Sequence, residues 1–190
     1  MFLGKIKKIV LFIVEGITDE ISLALVLSKI MEKDKIVRFK IISGDITAQN
    51  GVNSNNIHNK ITDHIKEFIT RDIYIKSDIF NVIHLVDTDG AYVNDDIISE
   101  KAIDSIEYNT QNIYAKNMEY IRNRNKQKSQ ILSKLAATNT VYTNLPYSIY
   151  FFSSNLEHVL HNEQSVVSNE KSKYAEKFAD KFITNPVSFI

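Results

Sequence analysis

An unbroken apolar run near the start of the chain constrains the fold most. Residues 9–14 read Ile-Val-Leu-Phe-Ile-Val, which is typical of a strand covered on both faces of a sheet. Apolar residues at helical spacing follow at 18–31 and, with clearer amphipathicity, at 53–74. An alternating strand at 37–41 and a third apolar strand at 79–86 complete the first half. This strand–helix–strand–helix–strand order predicts an α/β fold with a mainly parallel sheet and helices on both faces.

The remainder of the chain is expected to extend the same domain. Its 190 residues are about the length of one domain. We expect the sheet core at 7–93 and 146–162, where residues 147–152 form a fourth strand. A helical insertion is predicted at about 94–145, and a C-terminal helical segment at 163–190.

Composition excludes several kinds of protein. The chain has no cysteine, which removes disulfides, thiolate zinc sites, iron–sulfur clusters and cysteine nucleophiles. Lys plus Arg is 23 and Asp plus Glu is 23, so the formal net charge is zero and the chain is not a globally basic nucleic-acid binder. No apolar run approaches the roughly 20 residues of a membrane span, and no targeting segment is evident. We therefore expect a cytoplasmic protein with no membrane partner.

Acidic residues follow two of the predicted strands. Glu15 and Gly16 come directly after the first strand, and Asp87-Thr88-Asp89-Gly90 ends the third. Because neighbouring parallel strands end at the same edge of a sheet, Glu15, Asp87 and Asp89 are expected to converge there. Crowded carboxylates repel one another unless a cation lies among them, and hard oxygen ligands suit Mg²⁺ or Mn²⁺.

Asp19 has two interpretations. It lies about one helical turn after Glu15, so it is a candidate ligand of the same metal site. It also lies in the first turn of a predicted helix with Thr18 as its N-cap, where an acid complements the helix dipole without any metal.

The strings Val14-Glu15-Gly16-Ile17-Thr18-Asp19 and Val86-Asp87-Thr88-Asp89-Gly90 resemble the two motifs of the Toprim fold. That fold occurs in topoisomerases, bacterial primases, recombination proteins and small nucleases. Its motifs supply a glutamate after strand one and an Asp-x-Asp after strand three. The resemblance covers about residues 7–93 and implies that Glu15, Asp87 and Asp89 are catalytic acids and metal ligands.

Among Toprim proteins, the sequence is most similar to the nucleases of the overcoming-lysogenization-defect (OLD) type, which often serve phage defence. The small ribonuclease that matures 5S ribosomal RNA usually carries proline between the two aspartates, where this chain has Thr88. OLD-like nucleases work with an ATPase, but this chain has no Gly-x-x-x-x-Gly-Lys-Ser/Thr motif. The resemblance therefore implies an ATPase on a separate chain.

The OLD-like resemblance adds one further acid. These nucleases place an acid after a later strand in an Asn/Asp-Leu-Glu setting, and Asn155-Leu156-Glu157 fits that position. Glu157 is thus a candidate metal ligand. Ser154 and Glu157 also form a Ser-x-x-Glu capping box, which explains the same residues as a helix start.

A basic segment offers a nucleic-acid interface. Between residues 116 and 134 six cations stand against one acid, Glu119, and Tyr120 offers a ring for stacking. A solvated helix face explains the same charges. The candidate contacts are Lys116, Arg122, Arg124, Lys126 and Lys128.

Together these residues predict a nuclease that hydrolyses phosphodiester bonds of DNA or RNA with Mg²⁺ or Mn²⁺, and two ions are expected. Lys171, Lys173 and Lys177 are candidates for stabilising the transition-state charge. The partners that this interpretation admits are nucleic acid, a separate ATPase subunit and a second copy of the chain. A phosphatase using Asp87-x-Asp89, and a non-catalytic subunit that binds only metal or nucleic acid, remain the alternatives.

Overall fold

A computed structural model describes residues 8–31, 34–109, 111–162 and 170–182. Its strands are β1 (Lys8–Val14), β2 (Lys35–Ile41), β3 (Ile79–Asp87), β4 (Ile98–Glu100), β5 (Glu107–Tyr108), β6 (Ile113–Ala115), β7 (Thr140–Val141) and β8 (Leu145–Phe152). Its helices are α1 (Ile17–Ile30), α2 (Ile57–Arg71), α3 (Met118–Ala136), α4 (Leu156–His161) and α5 (Lys171–Lys181). Two short 3₁₀ turns precede β3 and β4. Within these residues, no helix combines the length and apolar character needed to cross a bilayer.

The main sheet has five strands in the order β2-β1-β3-β8-β7. The first four run parallel, and β7 pairs antiparallel with β8. The predicted α/β class with a mainly parallel sheet is confirmed. Both β1 and β3 lie inside the sheet, so their carboxyl ends are neighbours, and this position matters for the acids that follow them.

Helices cover both faces of this sheet. Successive side chains of β1 point to opposite faces, so each face offers apolar side chains for a helix to pack on. Ile9, Leu11 and Ile13 pack with α2 and with the end of α3. Val10 and Phe12 point to the other side, where they pack against Leu27 of α1. Helix α5 lies against α1 through an apolar cluster made of Leu23, Val26, Phe178 and Phe182.

The insertion at 94–145 is not purely helical, so that prediction is wrong in part. Strands β4, β6 and β5 form a small separate sheet, whose buried residues Ile98 and Ile113 pack with Ile121 of α3. These strands have only two or three residues each. The sequence does indicate a strand near residues 112–115, where β6 lies, but β4 and β5 carry too little period-two pattern to be recognised. The predicted C-terminal helical segment is described only at 170–182, where α5 lies.

Two polar residues in the sheet have local partners. His84 of β3 is completely buried, and its Nδ1 lies 2.8 Å from the hydroxyl of Tyr147 on β8. Lys40 of β2 is also buried, and its ammonium donates to Glu67 of α2 at 2.8 Å. These contacts give each of the two buried side chains a hydrogen-bond partner.

Candidate functional site

The first feature of the site is a pair of acids at the ends of two neighbouring strands. Glu15 follows β1, and Asp87 is the last residue of β3. The backbone N–H of Asp87 donates to Oε1 of Glu15 across 3.4 Å. Both residues, together with Asp19 and Lys171, line a cleft of about 500 Å³. The sheet thus brings Glu15 and Asp87 together.

Their surroundings favour the protonated forms of these acids. Desolvation is the main reason why the pKa of Glu15 rises from its ordinary value of 4.5 to about 8, and the carboxylate of Asp45 adds to the shift. Desolvation and then the Glu15 carboxylate raise the pKa of Asp87 well above its usual range. A cation in the cleft would offset the same repulsion.

Asp89 lies in the turn after β3, in a backbone conformation that is uncommon for a residue other than glycine. Its φ is +44°, and that of Gly90 is +80°. A side chain at Gly90 would come within 2.5 Å of Ile113 in the insertion. The turn is held by Arg124, whose Nη2 donates to the carbonyl oxygen of Asp89 at 2.7 Å.

A buried ammonium contacts the Asp89 carboxylate. The side chain of Lys128 has no exposed surface, and its Nζ lies 2.8 Å from Asp89 and 2.6 Å from Asp45. Burial alone would lower the pKa of Lys128, but the carboxylates of Asp89 and Asp45 outweigh it and hold that pKa above its ordinary value of 10.5. Lys128 is therefore charged, and it neutralises part of the acid cluster.

This geometry corrects one of the predicted nucleic-acid contacts. Lys128 is fully buried, and Arg124 is engaged with Asp89, Tyr108 and Asn125. The prediction that Lys128 contacts nucleic acid is wrong, because its side chain is buried among the acids. Arg124 is partly exposed, so its role in nucleic-acid binding stays a prediction. Lys116 and Lys126 are exposed and Arg122 is partly exposed, so for these three a role in nucleic-acid binding stays a prediction.

Asp45 is a site residue that sequence reasoning missed. It follows β2 in the string Ser43-Gly44-Asp45. Its Oδ1 accepts hydrogen bonds from the amide and the hydroxyl of Thr47, and its Oδ2 contacts Lys128. The available signal was an acid beside a glycine at the end of the second strand, the same pattern that identified Glu15 and Asp89.

Asp19 has a structural partner as well as a place in the cleft. Helix α1 begins at Ile17, so Gly16 is the N-cap and the predicted cap at Thr18 is wrong. Asp19 Oδ2 accepts the N–H of Gly16 at 2.9 Å. The side chain thus closes the first turn of the helix, and its role as a metal ligand stays a prediction.

The predicted capping box around Glu157 is wrong by one residue. Asn155 is the N-cap of α4, and its Oδ1 accepts the N–H of His158 at 2.8 Å. Ser154 lies outside the helix with a φ of +69°. The capping box therefore does not account for Glu157. Its side chain lies outside the described part of the structure, so its assignment as a metal ligand stays a prediction.

The donor set suits a cation that is completed by other ligands. Among the described residues, no group of three or more acidic or histidine side chains is placed to hold a metal by itself. Mg²⁺ is commonly bound by one or two carboxylates, with water and substrate phosphate filling the other positions. Glu15 and Asp87, which share one cleft, fit that kind of site.

No protein-family model, curated protein or solved structure matched this chain when it was compared with them. The assignment of the site therefore depends on its own residues.

The raised pKa of Glu15 predicts how stability depends on pH. In the unfolded chain the carboxyl titrates near 4.5, whereas in the metal-free folded protein it titrates near 8. Between these values the folded state retains a proton that the unfolded state has released, so the free energy of unfolding falls as pH rises. We expect Glu15→Gln to reduce this fall between pH 5 and 8 by on the order of 2 kcal/mol, after allowance for screening at the cleft.

Urea unfolding in EDTA at several pH values measures this effect. Asp63→Asn is the control, because Asp63 is an acid on α2 whose side chain is 68% exposed. This variant should keep the wild-type pH dependence. Parallel pH profiles for wild type and Glu15→Gln would show that Glu15 titrates normally.

The buried ion cluster predicts the effect of removing its cation. Lys128→Met leaves Asp45 and Asp89 facing each other without the ammonium between them. We expect unfolding to become easier by about 3 kcal/mol, as when one partner of a buried pair is removed. Lys126→Met is the matched control, since Lys126 is exposed on the same helix. Chemical denaturation compares the two, and equal stability of both variants would contradict a stabilising role for the cluster.

Proposed function

We propose that this chain is a divalent-metal-dependent nuclease of the Toprim kind, with Glu15, Asp87 and Asp89 as its catalytic acids. One observation carries the proposal. The ends of adjacent parallel strands bring Glu15 and Asp87 into one cleft, where an amide of one strand end donates to the carboxylate of the other. The order of the motifs along the chain, a glutamate after β1 and Asp-x-Asp after β3, supports the resemblance on which the proposal also rests.

Under this proposal the residues divide the work. Glu15 and Asp87 would hold Mg²⁺ or Mn²⁺, which when bound would activate water and stabilise charge on the phosphate. Lys128 places a fixed positive charge against Asp89. Of Lys171, Lys173 and Lys177, the candidates for stabilising transition-state charge, Lys171 lines the same cleft as Glu15 and Asp87, so we assign that role to Lys171.

The substrate would be a polyanion that meets the exposed cations of α3. Lys116 and Arg122 border a groove of about 560 Å³ at the start of this helix, which Glu100 and Glu119 also line. Lys126 lies one turn further along the helix. Arg124 and Lys128 on the same helix reach the Asp-x-Asp turn. One helix thus supports both the acid site and a basic surface, which suits a phosphodiester substrate.

The decisive experiment is cleavage of plasmid DNA, single-stranded DNA and cellular RNA with Mg²⁺ or Mn²⁺ and with EDTA. We expect metal-dependent cleavage that falls about 100-fold or more in Glu15→Gln, Asp87→Asn and Asp89→Asn, since each removes a charge from the site. Asp63→Asn on α2 is the control and should cleave like wild type. Circular dichroism establishes that each variant is folded.

Other results of this assay would replace the proposal. Full cleavage by all three variants would refute the site assignment. Phosphate release from small monoesters, without cleavage of nucleic acid, would indicate a phosphatase. Mn²⁺ binding without either activity would indicate a non-catalytic subunit.

The exposed cations of α3 predict how binding depends on salt. Lys116→Ala combined with Lys126→Ala should weaken duplex DNA binding and reduce the salt slope by up to about 0.9 per lost phosphate contact. Lys60→Ala with Lys66→Ala is the matched control, because these exposed lysines lie on α2, outside the insertion that carries α3. Fluorescence anisotropy in EDTA measures both pairs. Equal slopes for the two pairs would show that the α3 lysines make no specific contribution.

A further inference from the structure

The residue between the two aspartates is hydrogen-bonded in both directions. The Thr88 hydroxyl donates to the carbonyl oxygen of Phe152 at 3.1 Å and accepts the N–H of Ser154 at 2.9 Å. Two backbone hydrogen bonds join the same segments. The N–H of Thr88 donates to the carbonyl oxygen of Phe152 at 3.1 Å, and the N–H of Asp89 donates to the carbonyl oxygen of Ser154 at 2.9 Å. The Asp-x-Asp turn is thus joined to residues 152–154 by four hydrogen bonds.

These bonds lie where β8 turns into α4. Phe152 ends β8, directly opposite Asp87 in the sheet register. Ser154 has a φ of +69° and Asp89 a φ of +44°. Such left-handed conformations cost residues other than glycine free energy and persist only where surrounding contacts hold them. The Thr88 hydroxyl lies between these two strained residues and bonds directly to one of them.

Only a group that both donates and accepts can serve this junction. A hydroxyl does so, whereas the methyl group that replaces it in valine does neither. Without it the N–H of Ser154 loses its acceptor, and the Phe152 carbonyl loses one of its two donors. Of the four bonds between the Asp-x-Asp turn and residues 152–154, only the two backbone bonds would then remain.

We infer that Thr88 is a positioning residue, which locks the Asp-x-Asp turn to the start of α4 so that Asp87 and Asp89 keep the spacing that the site requires. This inference rests on the proposed function of the same site. It concerns Thr88 alone, which acts through the aspartates on either side of it and not by contact with the reacting atoms.

The test compares Thr88→Val, which keeps the shape and removes the hydroxyl, with Thr88→Ser, which keeps the hydroxyl. Thr138→Val is the matched control. The Thr138 hydroxyl also has two partners, the carbonyl oxygen of Lys134 at 2.9 Å and Nε2 of His58 at 2.7 Å. Neither partner belongs to the Asp-x-Asp turn. Mn²⁺ affinity is measured by calorimetry, the Mn²⁺ dependence of cleavage by titration, and melting temperature by circular dichroism.

We expect Thr88→Val to bind Mn²⁺ about tenfold or more weakly and to need correspondingly more Mn²⁺ for cleavage, as when a group that orients a metal ligand is removed. Thr88→Ser should recover most of the wild-type affinity. Thr138→Val should lower only the melting temperature. If Thr88→Val does not fold, Thr88→Ala takes its place.

Wild-type Mn²⁺ affinity in Thr88→Val would overturn the inference. A loss of Mn²⁺ affinity in Thr88→Ser or in Thr138→Val as large as that in Thr88→Val would overturn it too. A wild-type protein that binds Mn²⁺ but cleaves nothing would refute the nuclease proposal, while the affinity comparison would still decide the role of Thr88. A wild-type protein that binds no Mn²⁺ would overturn both.

Discussion

The buried ammonium of Lys128 compensates the acids at the carboxyl edge of the main sheet. Removing a charged group from water costs several kcal/mol unless opposite charges compensate for it. Lys128 is completely buried, and the two carboxylates that it contacts come from the end of β2 and from the turn after β3. The helix that carries Lys128 belongs to the insertion. The insertion therefore cannot be an independent appendage, because its cation compensates the charges at the carboxyl edge of the sheet.

The architecture followed from the sequence wherever side-chain patterns were long. The six apolar residues of β1 and the amphipathic pattern of α2 predicted a parallel sheet with covered faces, and each residue of that run is buried. The insertion was harder to predict because β4, β5 and β6 are held by pairing with one another and not by their own patterns. Sequence periodicity indicates which face of an element is buried, and a strand of two or three residues is too short to show an alternating pattern.

The site shows the same division between local and distant information. Local rules identified the acids at the strand ends and placed Glu15 beside β3. The role of Lys128 depends on how α3 is rotated against the sheet, and a helix rich in lysine and arginine reads as solvated from its sequence alone. The helix caps moved by one or two residues, from Thr18 to Gly16 and from Ser154 to Asn155. Such shifts are common where several residues could cap a helix.

The junction at Thr88 also has a consequence for the order in which the chain assembles. Its hydroxyl bonds join Thr88 to residues that come 64 and 66 positions later in the sequence, so they cannot form before β8 has been synthesised. During synthesis the N-terminal part emerges first. The strands that carry Glu15 and Asp87 can therefore pair before the turn at Asp89 is anchored. In a nascent chain that does not yet include β8, the turn that carries Asp89 would lack its bonds to residues 152–154. Any activity of the site would therefore begin only when the last third of the protein has folded.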